Sequence, residues 1–187
     1  MSGHDSVQLG RPRADIDATV FAAALRSVRA LGYAGATMDR IAAEAGIAKS
    51  TIYRRWPSKG ALIVDCLIDA FGPLPVSDGG LEVIARDAVR WIAARIAQPG
   101  VGAAFAGVFS DAVSDPALRD LLLNRFQDPY RIVLQNVTGL PEQRVLLFVD
   151  LVVGTLLHRL GMTGRPMTEV DVRSLTDVVV AGLRSAS

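Results

Sequence analysis

A single cysteine, Cys66, stands among 187 residues, so no disulfide can close within the chain and nothing asks for an oxidising compartment. A thiol alone on a helix is best read as a small buried hydrophobe. Histidine is almost as scarce: His4 and His158 lie far apart. No GxSxG, HExxH, CxxC or phosphate-cradling glycine loop accompanies them, which argues against an enzyme and leaves no metal or cofactor to expect. Aromatic residues make up only 6% of the chain, a poor supply for a sheet sandwich. The longest apolar run, Val145 to Leu157, is broken by Asp150 and falls short of the roughly 20 residues of a membrane span. The N-terminus shows no apolar leader core, so a soluble, cytoplasmic protein without a membrane partner is expected.

What is present is aliphatic and unevenly charged. Half of the residues are hydrophobic and 21% are charged, enough to bury a core without staples. The net charge is +1, yet residues 1–60 hold nine basic and five acidic side chains, leaving the remainder at −3. A basic front on a mildly acidic body suits a polyanion at one end.

The hydrophobic period is helical throughout, and no alternating run suggests a strand. Residues 1–13 read as a basic arm ending in Gly10-Arg11-Pro12-Arg13. A first helix is expected over about 15–31, with Phe21, Leu25, Val28 and Leu31 inward and Gly32 at its end. Thr37 is an N-cap, Gly46 supplies a turn, and a short helix over about 48–55 stops at Trp56-Pro57, because the residue before proline leaves the α region. Ser58 caps the next helix, and the proline- and glycine-rich Gly72–Gly80 marks a boundary. Longer helices are expected over about 81–97, 101–113, 116–137, 141–160 and 168–184. The fold class is all-α: a helix-turn-helix unit over 14–72 and a helical bundle over 81–187.

Thr37 to Lys59 is the informative stretch. Two short helices around a glycine, with Ile41, Ala45, Ile47, Ile52 and Trp56 inward, describe a helix-turn-helix. Lys49, Ser50, Thr51, Tyr53, Arg54 and Arg55 are left outward, and all are hydrogen-bond donors. Such a surface suits double-stranded DNA, with lysine and arginine on phosphates or guanine and hydroxyls on either. Lys49, Ser50, Thr51 and Arg54 are the candidate base readers, and Thr37, Tyr53, Arg55 and Lys59 the candidate phosphate contacts. Arg11 and Arg13 are candidates for an adjacent minor groove.

Residues from about Arg11 to Leu67 resemble the N-terminal domain of the tetracycline-repressor (TetR) family. The resemblance rests on Thr37-Met38-Asp39-Arg40-Ile41-Ala42, Ala45-Gly46-Ile47, Ser50-Thr51-Ile52-Tyr53 and Lys59 with Leu62. The chain departs from the pattern at Ala48, where members often carry a capping serine. The resemblance implies a transcriptional regulator that binds a palindromic operator as a homodimer and is released by a small apolar effector. It also implies that the C-terminal helices dimerise and hold that effector. Phe148, Val149, Val152, Leu156, Leu175, Val179 and Leu183 are the expected dimer residues, and Trp91, Phe105, Phe109, Phe126, Tyr130 and Asp150 the expected cavity residues, with Gln127 or His158 as further polar groups. A carboxylate in so apolar a helix should be paired, and Arg95 and Arg131 are the candidate partners for Asp150.

Overall fold

The computed structural model describes residues 13–184, all of whose regular structure is helical. Ten α-helices follow one another: α1 Arg13–Gly35, α2 Met38–Ala45, α3 Lys49–Arg55, α4 Lys59–Phe71, α5 Leu81–Ile96, α6 Val101–Ser114, α7 Pro116–Leu122, α8 Asp128–Thr138, α9 Glu142–Thr163 and α10 Glu169–Arg184. A π-helical turn, Leu123–Gln127, joins α7 to α8.

Local chemistry sets the first four helices. The Thr37 hydroxyl accepts the Arg40 amide at 3.3 Å, and Gly46 closes α2 in the left-handed region at φ 65°, where a Cβ would be strained. Ser58 accepts the Ala61 amide at 3.1 Å to open α4. Ala48 caps α3 with no side-chain bond, so this seven-residue helix depends on what lies beneath it: Ile41 and Ile52 have no exposed surface and Trp56 is buried. The inward stripe of α1 differs from the expected one. Val20, Ala23, Ala24, Ser27 and Val28 are buried, Phe21 and Leu25 only partly, and Leu31 faces solvent. Alanine at the contact lets the neighbouring helices approach more closely than Phe and Leu would. Gly32 breaks the helical path as expected, but one further turn follows it before Ala36.

The long helix expected over 116–137 is interrupted. Asp115 caps α7 by accepting the Leu118 amide at 3.0 Å, with Pro116 in the first turn. Pro129 then lacks the amide that would bond back to residue 125, and its ring crowds that carbonyl, so the turn before it widens into the π form.

The two halves of the chain are tightly joined. At Gly100, φ is 85° and an added Cβ would lie 2.3 Å from the Leu25 carbonyl oxygen; at Gly107 it would lie 2.0 Å from the Tyr33 ring. These glycines let α6 lie directly on α1. Tyr33 then donates to Asp111 Oδ2 at 2.8 Å. Burial and the Asp111 carboxylate together push the Tyr33 phenol well above its ordinary pKa.

Candidate nucleic-acid interface and helical-domain cavity

The surface of α3 carries the candidate DNA contacts, and they fall into two sets. Lys49, Ser50, Tyr53 and Arg54 are exposed, with Thr51 half-buried beside them. Lys49 Nζ lies 2.6 Å from Asp39 Oδ2 on α2, an exposed pair that phosphate could displace at small cost. Asp39 was not anticipated, although its place in the first turn of α2, two residues after the capping Thr37, puts it near α3. Arg55, expected outward, and Lys59, a candidate phosphate contact, are both engaged within the chain. Arg55 Nη1 is hydrogen-bonded and ion-paired to Asp17 of α1, and only 17% of its side chain is exposed. Lys59 Nζ donates to the Tyr33 carbonyl at 3.1 Å and lies 3.8 Å from the centre of the Tyr33 ring. Both side chains therefore tie α3 and α4 to α1. Thr37 is exposed at the start of α2. Arg11 lies outside the described residues, and of Arg13 only the backbone is described.

In the second half, α4, α5, α6, α8 and α9 surround a cavity of about 330 Å³. All six expected cavity residues, Trp91, Phe105, Phe109, Phe126, Tyr130 and Asp150, line it, as does Gln127. His158 does not; it is exposed on α9. Phe71, at the end of α4, was missed because it precedes the linker. It stands 5.0 Å from Phe126 and 5.4 Å from Trp91, both edge to face. The Tyr130 hydroxyl donates to the Gly72 carbonyl at 2.7 Å, fastening the end of α4 to α8. Burial pushes the Tyr130 phenol up, against the opposing charge of Arg95. Asp150 is exposed and pairs with neither expected arginine. Arg131 is held by Asp128 at 2.8 Å, Gln135 at 2.6 Å and Glu142 at 3.2 Å.

A polar link runs from this wall to α3. Arg125, in the π turn beside Phe126 and Gln127, lies 2.7 Å from Asp65 Oδ1 on α4. The other oxygen of Asp65 accepts the indole Nε1–H of Trp56 at 2.9 Å, directly after α3. Nearby, Cys66 is fully buried, and burial pushes its thiol well up, as suits an inert packing residue.

Two family profiles match the chain: "Bacterial regulatory proteins, tetR family" over residues 20–66, and "Tetracyclin repressor-like, C-terminal domain" over residues 78–179. The chain belongs to the TetR family. It is thus a DNA-binding transcriptional regulator rather than an enzyme. Relatives include the uncharacterized HTH-type transcriptional regulator Rv1556 of Mycobacterium tuberculosis, 28% identical over 86% of this chain and 84% of that protein. Another is the DNA-binding transcriptional repressor TetR of Mycobacteroides abscessus, 29% identical over 87% of this chain and 90% of that one. Among solved structures, a TetR transcriptional regulator from Rhodococcus sp. RHA1 superposes with a TM-score of 0.65 at 19% identity, covering 90% of this chain and 97% of that one.

In this TetR-family chain the residues expected at a dimer interface turn inward. Phe148, Val152, Leu156, Val179 and Leu183 are buried within the chain itself, Leu175 packs against the same core, and Val149 lines the cavity. The reason is that α9 is apolar on more than one face. Val145, Phe148, Val152 and Leu156 form its inner stripe, while Leu147 and Leu151 are 55% and 45% exposed on another. On α10, Val178 is 69% exposed, and Ala181 next along that face is exposed as well. With 22 residues, α9 is by length and composition able to cross a bilayer, which corrects the expectation of a stretch too short. Its apolar side chains are nonetheless divided between the chain's own interior and a narrow outer stripe interrupted by Asp150.

Proposed function

We propose that the chain is a ligand-responsive repressor in two working units, residues 14–72 for operator DNA and 81–187 for dimerisation and effector binding. The observation that carries this reading is the exposed row Lys49, Ser50, Tyr53 and Arg54 on a helix whose underside, at Ile52, is fully buried. A rigid floor holds donors at fixed spacing, which a duplex groove requires. Lys49, Ser50, Thr51 and Arg54 are assigned to bases, and Tyr53 and Thr37 to phosphates. Arg55 and Lys59 then serve chiefly to fix the orientation of α3 and α4 against α1.

The homodimer is assigned to the outer stripes of α9 and α10, through Leu147, Leu151 and Val178. Gly154, on the same side of α9 at the border of the cavity, leaves open space there: a Cβ would meet nothing within 4 Å. Two such units bring paired recognition helices to a palindromic site about 34–36 Å apart. Effector binding in the cavity acts on α4 at two points, Phe71 and Asp65, and α4 begins four residues after α3 ends. A ligand that prefers one setting of α4 then shifts the spacing of the reading heads. A regulator that meets chromosomal DNA in this way works in the cytoplasm.

Footprinting on the DNA flanking its own gene tests the reading, with sedimentation run at the same concentrations. The expected result is a protected palindrome bound by a dimer. Weak binding indifferent to sequence, or a monomer at micromolar concentration, overturns it.

A further inference from the structure

We propose that the cavity takes a planar aromatic cation, a protonated or quaternary amine carried on a small fused-ring system, and discriminates against anions. The proposal rests on reading the cavity as the effector site and specifies that effector's chemistry.

Three features of the wall point the same way. First, it is aromatic: Phe71, Trp91, Phe105, Phe109, Phe126 and Tyr130 line a space of about 330 Å³, near the lower end of the roughly 300–1,000 Å³ typical of small-molecule sites. Ring faces carry negative quadrupole density and attract cations placed over them. Second, among the described residues that line it Asp150 is the one carboxylate, and no lysine, arginine or histidine accompanies it. An anionic ligand would find no cationic side chain among these lining residues.

Third, Asp150 is uncommitted. Among the described residues its carboxylate has no hydrogen bond or ion pair, and Arg131 is turned to Asp128, Gln135 and Glu142. Arg95 lies outside the lining, where its charge acts on the Tyr130 hydroxyl. Asp150 is both exposed and part of the wall, whereas Phe105 and Phe126 are buried. The carboxylate therefore sits where the cavity meets solvent, with rings at depth. A ligand entering ring first leaves its cationic nitrogen at Asp150, where a charge-assisted hydrogen bond forms.

Calorimetry on the full chain with three probes sharing one ring system tests this: 2-naphthylmethylammonium, 2-naphthalenemethanol and 2-naphthylacetate. The ammonium should bind at least about tenfold more tightly than the alcohol, and the acetate most weakly. Asp150→Asn should remove the ammonium's advantage over the alcohol, weakening the ammonium far more than the alcohol. Trp91→Leu should weaken all three, locating them in the cavity. Equal or tighter binding of the acetate overturns the proposal, as does an ammonium advantage that survives Asp150→Asn. It also falls if Asp150→Asn weakens self-association in sedimentation while the ranking persists, because the carboxylate then serves the contact between copies. A gel shift on operator DNA, run in parallel, separates the two readings. Operator binding with no heat from any probe sinks the cation proposal alone, whereas the expected charge ranking without operator binding sinks the regulator mechanism and leaves the cavity's chemistry standing.

Discussion

The two halves of the chain meet opposite packing demands. Behind α3 the interior is sealed: Val20, Ala23, Ala24, Ile41, Ile52 and Leu62 have no exposed surface, and most are small or β-branched. In the second half, large rings meet edge to face and leave about 330 Å³ between them. Side chains behind α3 interdigitate to native density, whereas the rings of the second half border open space. A surface that presents donors at fixed spacing needs a floor that cannot shift. A site that admits a molecule needs room, and here the room abuts Phe71, the last residue of the helix that leads away from that floor.

The comparison breaks most visibly if the floor is soft. Ile52→Ala removes a fully buried side chain from beneath a seven-residue helix with no side-chain cap. It should cost about 2–5 kcal/mol in urea unfolding and abolish specific operator binding. A cost below about 1 kcal/mol would mean that the head relaxes around the hole and is not rigid. The reverse change sharpens the contrast. Ala24→Leu forces three extra carbons into sealed space and should destabilise by about 1–3 kcal/mol. Ala88→Leu places the same carbons in the cavity wall, where room exists, and should cost less than about 1 kcal/mol while reducing probe binding. Equal costs at the two sites would show that the void closes on its own in solution.

How much of this was readable in the residues follows the same division. The head is built from short-range chemistry, so Thr37, Gly46, Pro57 and Ser58 mark its helices to within a residue or two. The cavity rings were visible as aromatics at helical spacing, apart from Phe71, which the chain contributes from before the linker. The residues expected at a dimer interface are buried within the chain itself, because α9 carries two apolar stripes. Phe148 and Leu151 look alike in sequence, and only packing against neighbouring helices decides that one is buried and the other exposed. The turn at 123–127 had its cause in plain sight at Pro129, but proline near the start of a helix is compatible with an uninterrupted one nearby. The Arg55–Asp17 pair spans 38 residues, a separation that no local pattern reports.

That pair gives a test of intermediate size. Lys49→Ala removes an exposed cation paired only with exposed Asp39 and should weaken operator binding by about 1–2 kcal/mol without moving the thermal midpoint. Arg55→Ala should lower the midpoint as well, because it leaves Asp17 without its partner between α1 and α3. If the two variants behaved alike in both measurements, the division between presenting and fixing cations would fail.

The smallest effect probes Ser27, among the described residues the one buried polar residue of the sealed half. Ser27 is 2% exposed and donates its hydroxyl to Glu44 Oε2, while Arg26 Nε donates to Glu44 Oε1 at 2.8 Å, so α1 and α2 are joined through one carboxylate. The Ser27 hydroxyl, and after it Arg26, hold the Glu44 carboxyl below its ordinary pKa. A carboxyl with a lowered folded value contributes stability that is fully present above the unfolded value of about 4.3 and is lost as pH falls through the folded value. Because a third of the Glu44 side chain is exposed, the contribution is that of a screened pair, about 0.2–1 kcal/mol. Glu44→Gln keeps the shape and removes the charge. Its urea midpoint should lie slightly below wild type at pH 7, and the two should converge as pH drops below 4. A gap that stayed constant with pH would mean that Glu44 supports the sealed core through packing, and that its charge contributes nothing to the rigidity of the reading head.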